Sequence, residues 1–418
     1  MPHKPRSLVW RLANPPFNPP DSPLSVPTLP PHRVLLVHNL LWSHYKAALF
    51  NEIYRLSRQS GRIDFLVLQL AKTERSRMGL GDPVRGEHHY PYHLLFDGAL
   101  EDVGFWTRFR TLLQHTRHFK PDVVNLTGYY DPAQLLLLLF CKLRGIRTVL
   151  STESNAFDHA RTGWKEKLKR WLIQQFDGYI CFGSHSEHYV LQLGAQPHQI
   201  LTNRAAVVND AVLRANYEQA RPQREARLRQ HGLLPRNFIF VGRFTEVKNL
   251  DGLIEAFARA KKTAVQTEQW GLILVGEGAL KEAVRQQARY AGLDSVHFLP
   301  GTEWYNVPAA LALADVLVLA SYSETWGLVV NEAMVCGLPV LVSEQCGCAS
   351  DLVRVGENGF TFKWNDVEQL SRLLQTVMDT PAPALAVMGE ESRRIIEAFS
   401  LAAVCQQIVS GYDRLASV

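Results

Sequence analysis

Residues 316–333 read Val316-Leu317-Val318-Leu319-Ala320-Ser321-Tyr322-Ser323-Glu324-Thr325-Trp326-Gly327-Leu328-Val329-Val330-Asn331-Glu332-Ala333. The unbroken apolar run from Val316 to Ala320 is the pattern of a strand buried on both faces, and a helix is expected from Leu328 to Cys336. A strand-to-helix turn of this kind presents free N–H groups and the positive end of a helix dipole, which suits a phosphate. Glu324 and Glu332 flank that helix start. An ionised carboxylate only accepts hydrogen bonds, so it repels a phosphate and holds hydroxyl donors. The pair therefore suits a ligand with phosphates in the middle and hydroxyls at both ends, which is the layout of a nucleotide-sugar. The same letters also read more plainly, with Glu324 complementing a helix dipole and Glu332 standing exposed on the helix.

A second constellation lies upstream. Phe238-Ile239-Phe240-Val241 reads as a buried strand, followed by Gly242-Arg243-Phe244-Thr245-Glu246-Val247-Lys248 and a helical pattern from Leu250 to Ala260. Arg243 and Lys248 thus leave a strand end and enter a helix start, where a planar fork and a mobile point charge can face one anion. A solvated pair satisfied locally by Glu246 is the alternative.

Together with residues 338–362, these segments resemble the retaining glycosyltransferases of family 4. The resemblance covers the C-terminal half, through Val241-Gly242-Arg243, Lys248-Asn249-Leu250, Leu274-Val275-Gly276-Glu277-Gly278, the two glutamates and Gly356-Glu357-Asn358-Gly359-Phe360. It implies an α/β GT-B fold, two Rossmann-like domains facing each other across a cleft. It also implies roles: Arg243 and Lys248 on the donor diphosphate, Glu324 on the transferred sugar, Glu332 on the ribose. Backbone groups at Gly327, Leu328 and Val329 would face the diphosphate, and those from Leu299 to Gly301 the base. The implied reaction moves a hexose from a nucleoside-diphosphate sugar to a hydroxyl acceptor, which could be a glycan, a lipid-linked acceptor or a small molecule. A phosphorylase on the same fold and a catalytically silent nucleotide-sugar binding protein are the alternatives.

The 418 residues suit two domains. The division expected is a Pro-rich flexible lead over 1–31, an acceptor-side domain over 32–206, a donor-binding domain over 207–400, and a closing helix over 401–418 that crosses back. Strands are expected near 33–37, 64–70, 122–126, 148–151 and 178–182, then 238–241, 271–275, 296–299, 316–320 and 339–342, with a linker over 207–216. Alternation with helices argues for parallel sheets covered on both faces. No apolar run approaches the roughly 20 residues of a membrane span. The six cysteines are irregularly spaced and no secretion signal is read, which points to reduced thiols and a cytoplasmic location.

Other chemistries fit less well. Gly276-Glu277-Gly278 follows a strand, but the third glycine of a dinucleotide fingerprint would fall at Lys281. Cys346-Gly347-Cys348 lacks a second pair at metal-ligand spacing. The chain contains no Asp-x-Asp, so no metal and no cofactor are expected beyond the nucleotide-sugar co-substrate, and Arg243, Lys248 and the helix start at Gly327 would carry the charge stabilisation. No nucleic-acid partner is expected.

The N-terminal half departs from the family pattern. Its first loop, Val37 to Lys46, has no glycine, and Leu126-Thr127-Gly128-Tyr129-Tyr130 and Ser151-Thr152-Glu153-Ser154-Asn155 stand where a histidine is common in the family. His38, Tyr45, Lys46, Tyr129 and Glu153 are the acceptor-side candidates, with packing or capping roles as alternatives. Residues 1–205 hold 25 Lys and Arg against 16 Asp and Glu, a net of +9, while the remainder is −4, together the +5 of the chain. Within the basic half, residues 161–175 place Trp164, Leu168, Trp171 and Leu172 on one helical face among five basic residues. That helix could rest on the inner face of an anionic membrane and reach a lipid-linked acceptor, or pack into its own domain.

Overall fold

A computed structural model describes residues 30–41, 44–75, 88–153, 163–263 and 267–417. The Pro-rich lead up to residue 29 lies outside the described residues. Two wholly parallel sheets account for the described strands. The first comprises β1 (His32–Leu40), β2 (Ile63–Thr73), β3 (Tyr92–Ala99), β4 (Val123–Thr127), β5 (Arg147–Thr152), β6 (Gly178–Cys181) and β7 (Ile200–Thr202), in the order β3-β2-β1-β4-β5-β6-β7. The second comprises β8 (Arg236–Val241), β9 (Trp270–Val275), β10 (Val296–Leu299), β11 (Val316–Leu319), β12 (Val340–Ser343) and β13 (Gly359–Phe362), in the order β10-β9-β8-β11-β12-β13. The strand order reverses between β1 and β4 and again between β8 and β11. A crevice opens at the carboxyl ends of strands at such a reversal.

Alternate residues of the central strands feed two cores. Val34 and Leu36 pack with Ala47, Phe50 and Ile53 of the helix His44–Ser60, in a core continuous with the second domain. Leu35 and Val37 join Leu112, Leu137, Leu138 and Ile173 from the helices Phe105–Phe119, Pro132–Leu143 and Gly163–Ile173 on the opposite face. The strands not anticipated, β3, β7 and β13, all lie at sheet edges. An edge strand is covered on fewer sides, so its sequence carries no continuous apolar run; in β3 only Ala99 is fully buried.

The linker expected over 207–216 is shorter. A helix, Asp210–Ala220, occupies most of it, capped by Asn209, whose side chain accepts the Val212 N–H at 3.4 Å. Leu213, Tyr217 and Ala220 recur at helical spacing and are buried, with the helix packed on Val307–Leu311 of the second domain. At the far end, the helix Leu401–Ala416 packs on His44–Ser60, β1, β4 and β7. Its Tyr412 hydroxyl accepts from Asn125 Nδ2 of β4 at 2.6 Å. The helical stretch 382–416 is long and apolar enough by composition to cross a membrane; here Val404, Ile408 and Tyr412 are buried in the protein's own core.

Candidate active site

The reversal between β8 and β11 collects the donor-side candidates. Past β8 the chain makes a single turn, Glu246–Lys248, and reaches Asn249 in the left-handed conformation at φ 50°. Asparagine tolerates that region better than most side chains. Its buried amide donates to the Ala320 carbonyl at 3.2 Å and to the Trp364 carbonyl at 2.8 Å, while its own carbonyl takes the Leu253 N–H at 3.2 Å and starts the helix Leu250–Thr263. The Tyr322 N–H donates to the Val247 carbonyl at 3.0 Å. These bonds tie the loop after β8 to the loop after β11, and Lys248 Nζ forms an ion pair with Glu324 Oε2. Arg243 is exposed beside them, and no carboxylate of the described residues pairs with it.

Glu324 is held by backbone as well. Its carbonyl accepts the Gly347 N–H at 2.9 Å, and the Trp326 carbonyl accepts the Cys348 N–H at 3.1 Å. A Cβ on Gly347 would lie 2.0 Å from the Thr325 carbonyl oxygen, so only glycine permits this approach. The Cys346-Gly347-Cys348 segment is therefore a clamp on the Glu324 loop. Both thiols are buried and burial raises their pKa. Among the described residues no three His, Cys, Asp or Glu side chains come together as metal ligands.

Gly327, at φ 100°, turns the chain into the helix Leu328–Val335, whose first N–H groups at Leu328 and Val329 lack intrahelical partners. Glu332 follows Leu328 by four residues and shares its helix face. It is half-buried, and no hydrogen bond or ion pair of the described residues reaches its carboxylate; burial pushes the carboxyl up to about 8. Leu299 and Gly301 lie at the rim beside β9. The Leu299 carbonyl accepts the Gly276 N–H at 3.2 Å, and the Gly301 N–H bonds the Glu277 carboxylate, which Lys281 also holds at 2.7 Å.

The acceptor-side candidates are dispersed. His38 is not in a loop, because β1 continues to Leu40. It is buried, its Nδ1–H donates to Gln69 Oε1 at 2.9 Å, and Gln69 Nε2 donates to the Tyr90 hydroxyl at 2.8 Å. Burial, aided by the charge on Lys46, lowers its pKa to about 3, so it is neutral. Lys46 is also buried, with its ammonium 4.3 Å from the Phe182 ring centroid, 5.4 Å from that of half-buried Tyr45, and 3.7 Å from Glu153 Oε1. Burial lowers the Lys46 pKa against the opposing pull of Glu153. Tyr129 is buried against Tyr130, ring centroids 4.3 Å apart and hydroxyls 2.9 Å apart. Glu153 differs: its side chain is 45% exposed, and it lines one pocket with Phe182, Gly183 and His185 of its own domain and Thr325, Trp326 and Gly347 of the other. Of the acceptor-side candidates it is the one brought to the Glu324 loop in that pocket. In the basic helix Gly163–Ile173, Ile173 is buried while Leu168 and Trp171 are exposed; residues 161 and 162 and the side chains of Trp164 and Lys165 lie outside the described residues.

Sequence reasoning missed Asn249, Trp326 and Gly347. The positive-φ signal at Asn249, next to a Lys, is readable only with a turn in view, and the Gly347 approach joins segments that the sequence does not show as neighbours.

Residues 225–397 match the family described as glycosyl transferases group 1. The chain is 32% identical over 305 residues, 68% of its length and 71% of the other, to the GDP-mannose-dependent alpha-(1-6)-phosphatidylinositol dimannoside mannosyltransferase of Mycobacterium tuberculosis. It is 28% identical over 280 residues to the glycogen synthase of the same species, a match spanning 64% of this chain and 63% of that synthase. The solved structure of Anabaena HepE in complex with UDP and glucose superposes with a TM-score of 0.65 at 18% identity, over 93% of this chain and all of that one (100%). The fold is GT-B, and the chain belongs to the group 1 glycosyltransferases.

Proposed function

We propose that the protein is a retaining, metal-independent hexosyltransferase that moves a sugar from a nucleoside diphosphate to a hydroxyl acceptor. The observation that carries this is the meeting of Lys248 and Glu324 at the β8/β11 reversal, next to a free Arg243, the helix start at Gly327 and an unpartnered Glu332. Arg243, Lys248 and the N–H groups of Leu328 and Val329 would stabilise the departing diphosphate. An arriving diphosphate competes with Glu324 for Lys248 and frees the carboxylate to accept sugar hydroxyls and to face the charge that develops at the anomeric carbon. The acceptor attacks from the face the leaving group departs from, and a leaving-group oxygen takes its proton. Two fixed cations and the missing Asp-x-Asp support chemistry without a divalent ion.

The relatives support a nucleoside-diphosphate sugar as donor: one solved neighbour holds UDP and glucose, and one curated relative is named for GDP-mannose. That relative is also named for a phosphatidylinositol acceptor, and the outer helix layer of the first domain supports a lipid-linked acceptor at an anionic, cytoplasmic membrane face. Its helices Phe105–Phe119, Pro132–Leu143 and Gly163–Ile173 carry eight Lys and Arg and one acidic residue, Glu166. Trp106 is 60% exposed there and Leu143 87%. Sedimentation with anionic but not neutral vesicles tests that part.

A second reading, a silent nucleotide-sugar binder, has one observation in its favour: His38, Lys46 and Tyr129 are engaged within their own domain. Purified protein with a panel of nucleotide-sugars and hydroxyl acceptors, with chelator present, decides between them. Transfer with the anomeric configuration kept supports the first reading; binding without turnover supports the second. Activity abolished by chelator and restored by a divalent ion would remove the metal independence.

A further inference from the structure

Gly183 follows β6, where the second domain touches the first. Its φ of −163° is extended backbone open to any residue, so conformation does not require glycine here. Space does. A Cβ at this position would lie 2.1 Å from Cζ3 of Trp326 and 2.9 Å from its Cη2, so the indole rests directly on the Gly183 backbone. Trp326 is buried, its Nε1–H donates to Asn331 Oδ1 at 2.8 Å, and the Asn331 amide donates to the carbonyl of Ala206, in the segment joining the domains, at 2.8 Å.

The neighbouring residue is held from the same side. Ser184 begins the helix Ser184–Gln192, which Gly183 cannot cap because it has no side chain. Asp351 of the other domain supplies the missing acceptor: its carboxylate takes the Ser184 N–H at 3.1 Å and the Ser184 hydroxyl at 2.8 Å. Asp351 follows directly on the Cys346–Cys348 clamp, whose N–H groups hold the Glu324 and Trp326 carbonyls. Trp326, Asp351 and the sugar-side Glu324 therefore move as one unit, and that unit sits on Gly183-Ser184.

We propose that this contact is a latch and that Trp326 is a positioning residue, setting Glu324 against the reacting sugar only while the two domains are closed on Gly183-Ser184. The inference rests on the transfer reaction proposed above. Gly183→Ala places a methyl group in the seat of the indole and opens the latch. Its turnover is expected to fall about tenfold or more, since small misplacement of a reacting group is costly. Its affinity for a nucleoside diphosphate, measured by calorimetry, should stay within about twofold, because every diphosphate contact named lies in the second domain. Trp326→Leu in the same chain removes the crowding, so the double variant should turn over no more slowly than Trp326→Leu alone, a non-additive pair.

Fluorophores on cysteines introduced at exposed Asp97 and Tyr290, one in each domain, should report a longer interdomain distance in Gly183→Ala than in the parent, with no substrate present. If Gly183→Ala does not fold, Asp351→Ala, which removes the cap alone, should lengthen the same distance and lower turnover. An unchanged distance in the folded variant overturns the latch, and additive effects of Gly183→Ala and Trp326→Leu overturn the steric coupling. Absence of transfer by the parent protein would strike the proposed reaction, while the distance measurement decides the latch by itself.

Discussion

The two domains share one architecture, yet their strand reversals are furnished in opposite ways. At β8/β11 the ionisable groups stand at the crevice: Arg243 is exposed, Lys248 and Glu324 pair at the cleft, and no partner among the described residues reaches Glu332. At β1/β4 the polar groups face inward: neutral His38 bonds Gln69, Lys46 lies over Phe182, and the Tyr129 ring lies tilted against that of Tyr130. At the second reversal these groups stand at the crevice mouth, within reach of a ligand, while at the first His38, Lys46 and Tyr129 are buried among partners of their own domain. Of the acceptor-side candidates, Glu153 is the one that reaches the pocket shared with the other domain.

The sharpest way to break that contrast is Glu324→Gln. The change keeps size and removes the negative charge proposed to face the sugar, so turnover should fall by about 100-fold or more, as when one group stabilising a transition state is lost. Nucleoside diphosphate affinity should hold or rise, because Lys248 is released from its pair. Wild-type turnover would show that Glu324 serves only to hold Lys248. Arg243→Ala and Lys248→Ala come next. Each removes a charge-assisted contact, and about 10- to 100-fold weaker binding of the diphosphate is expected by titration calorimetry. Matching losses on Lys46→Ala would erase the distinction between the two reversals.

Glu332→Gln is the subtler probe. Ribose hydroxyls donate best to an ionised carboxylate, but burial holds this carboxyl protonated up to about 8. Nucleotide binding should therefore release a proton near pH 7, and affinity should rise with pH until about 8. In Glu332→Gln both the proton release and the pH dependence should vanish, with affinity about tenfold weaker at pH 8. Calorimetry in two buffers of different ionisation enthalpy reads the proton directly; an unchanged proton count in the variant would remove Glu332 from the ribose.

What the sequence could disclose follows the same division. The central strands were legible because a strand covered on both faces, such as Phe238 to Val241, is apolar at every position; of the four edge strands only β10, with Val296, Phe298 and Leu299, was read, while β3, β7 and β13 were not. The gathering of Arg243, Lys248 and Glu324 at one mouth was legible because each lies within a few positions of a strand end. The acceptor side depends on contacts across many residues. His38 reads as a polar loop residue until Gln69, 31 positions on, is found against it, and Trp326 reads as one helix-start residue until Gly183 is found beneath its ring. Cys346-Gly347-Cys348 discloses little for the same reason: its meaning is the backbone of the Glu324 loop, not its sulfurs.

The smallest effect expected concerns stability, and it has opposite sign in the two domains. His38, buried beside Lys46, has its pKa lowered from 6.5 to about 3. Below pH 6.5 the unfolded chain takes up a proton that the folded chain refuses, so stability from this group is full above 6.5 and is lost as pH falls toward 3. Glu332 has its pKa raised from 4.5 to about 8. Between those values the folded chain holds a proton that the unfolded chain has released, so stability is greatest below 4.5 and declines as pH rises toward 8. His38→Gln should blunt the acid-side fall in Tm, and Glu332→Gln the fall between pH 4.5 and 8. One pH unit into either limb is worth about 1.4 kcal/mol, so the shift there should amount to a few degrees, since about 1 kcal/mol moves Tm by about 2–4 °C in domains of this size. Saturating nucleoside diphosphate should flatten only the Glu332 limb, because a hydroxyl donor on the carboxylate restores the ionised form. A Tm profile that responds to nucleotide on the acid limb instead would place the ligand against the inward-facing charges of the first domain and reverse the comparison.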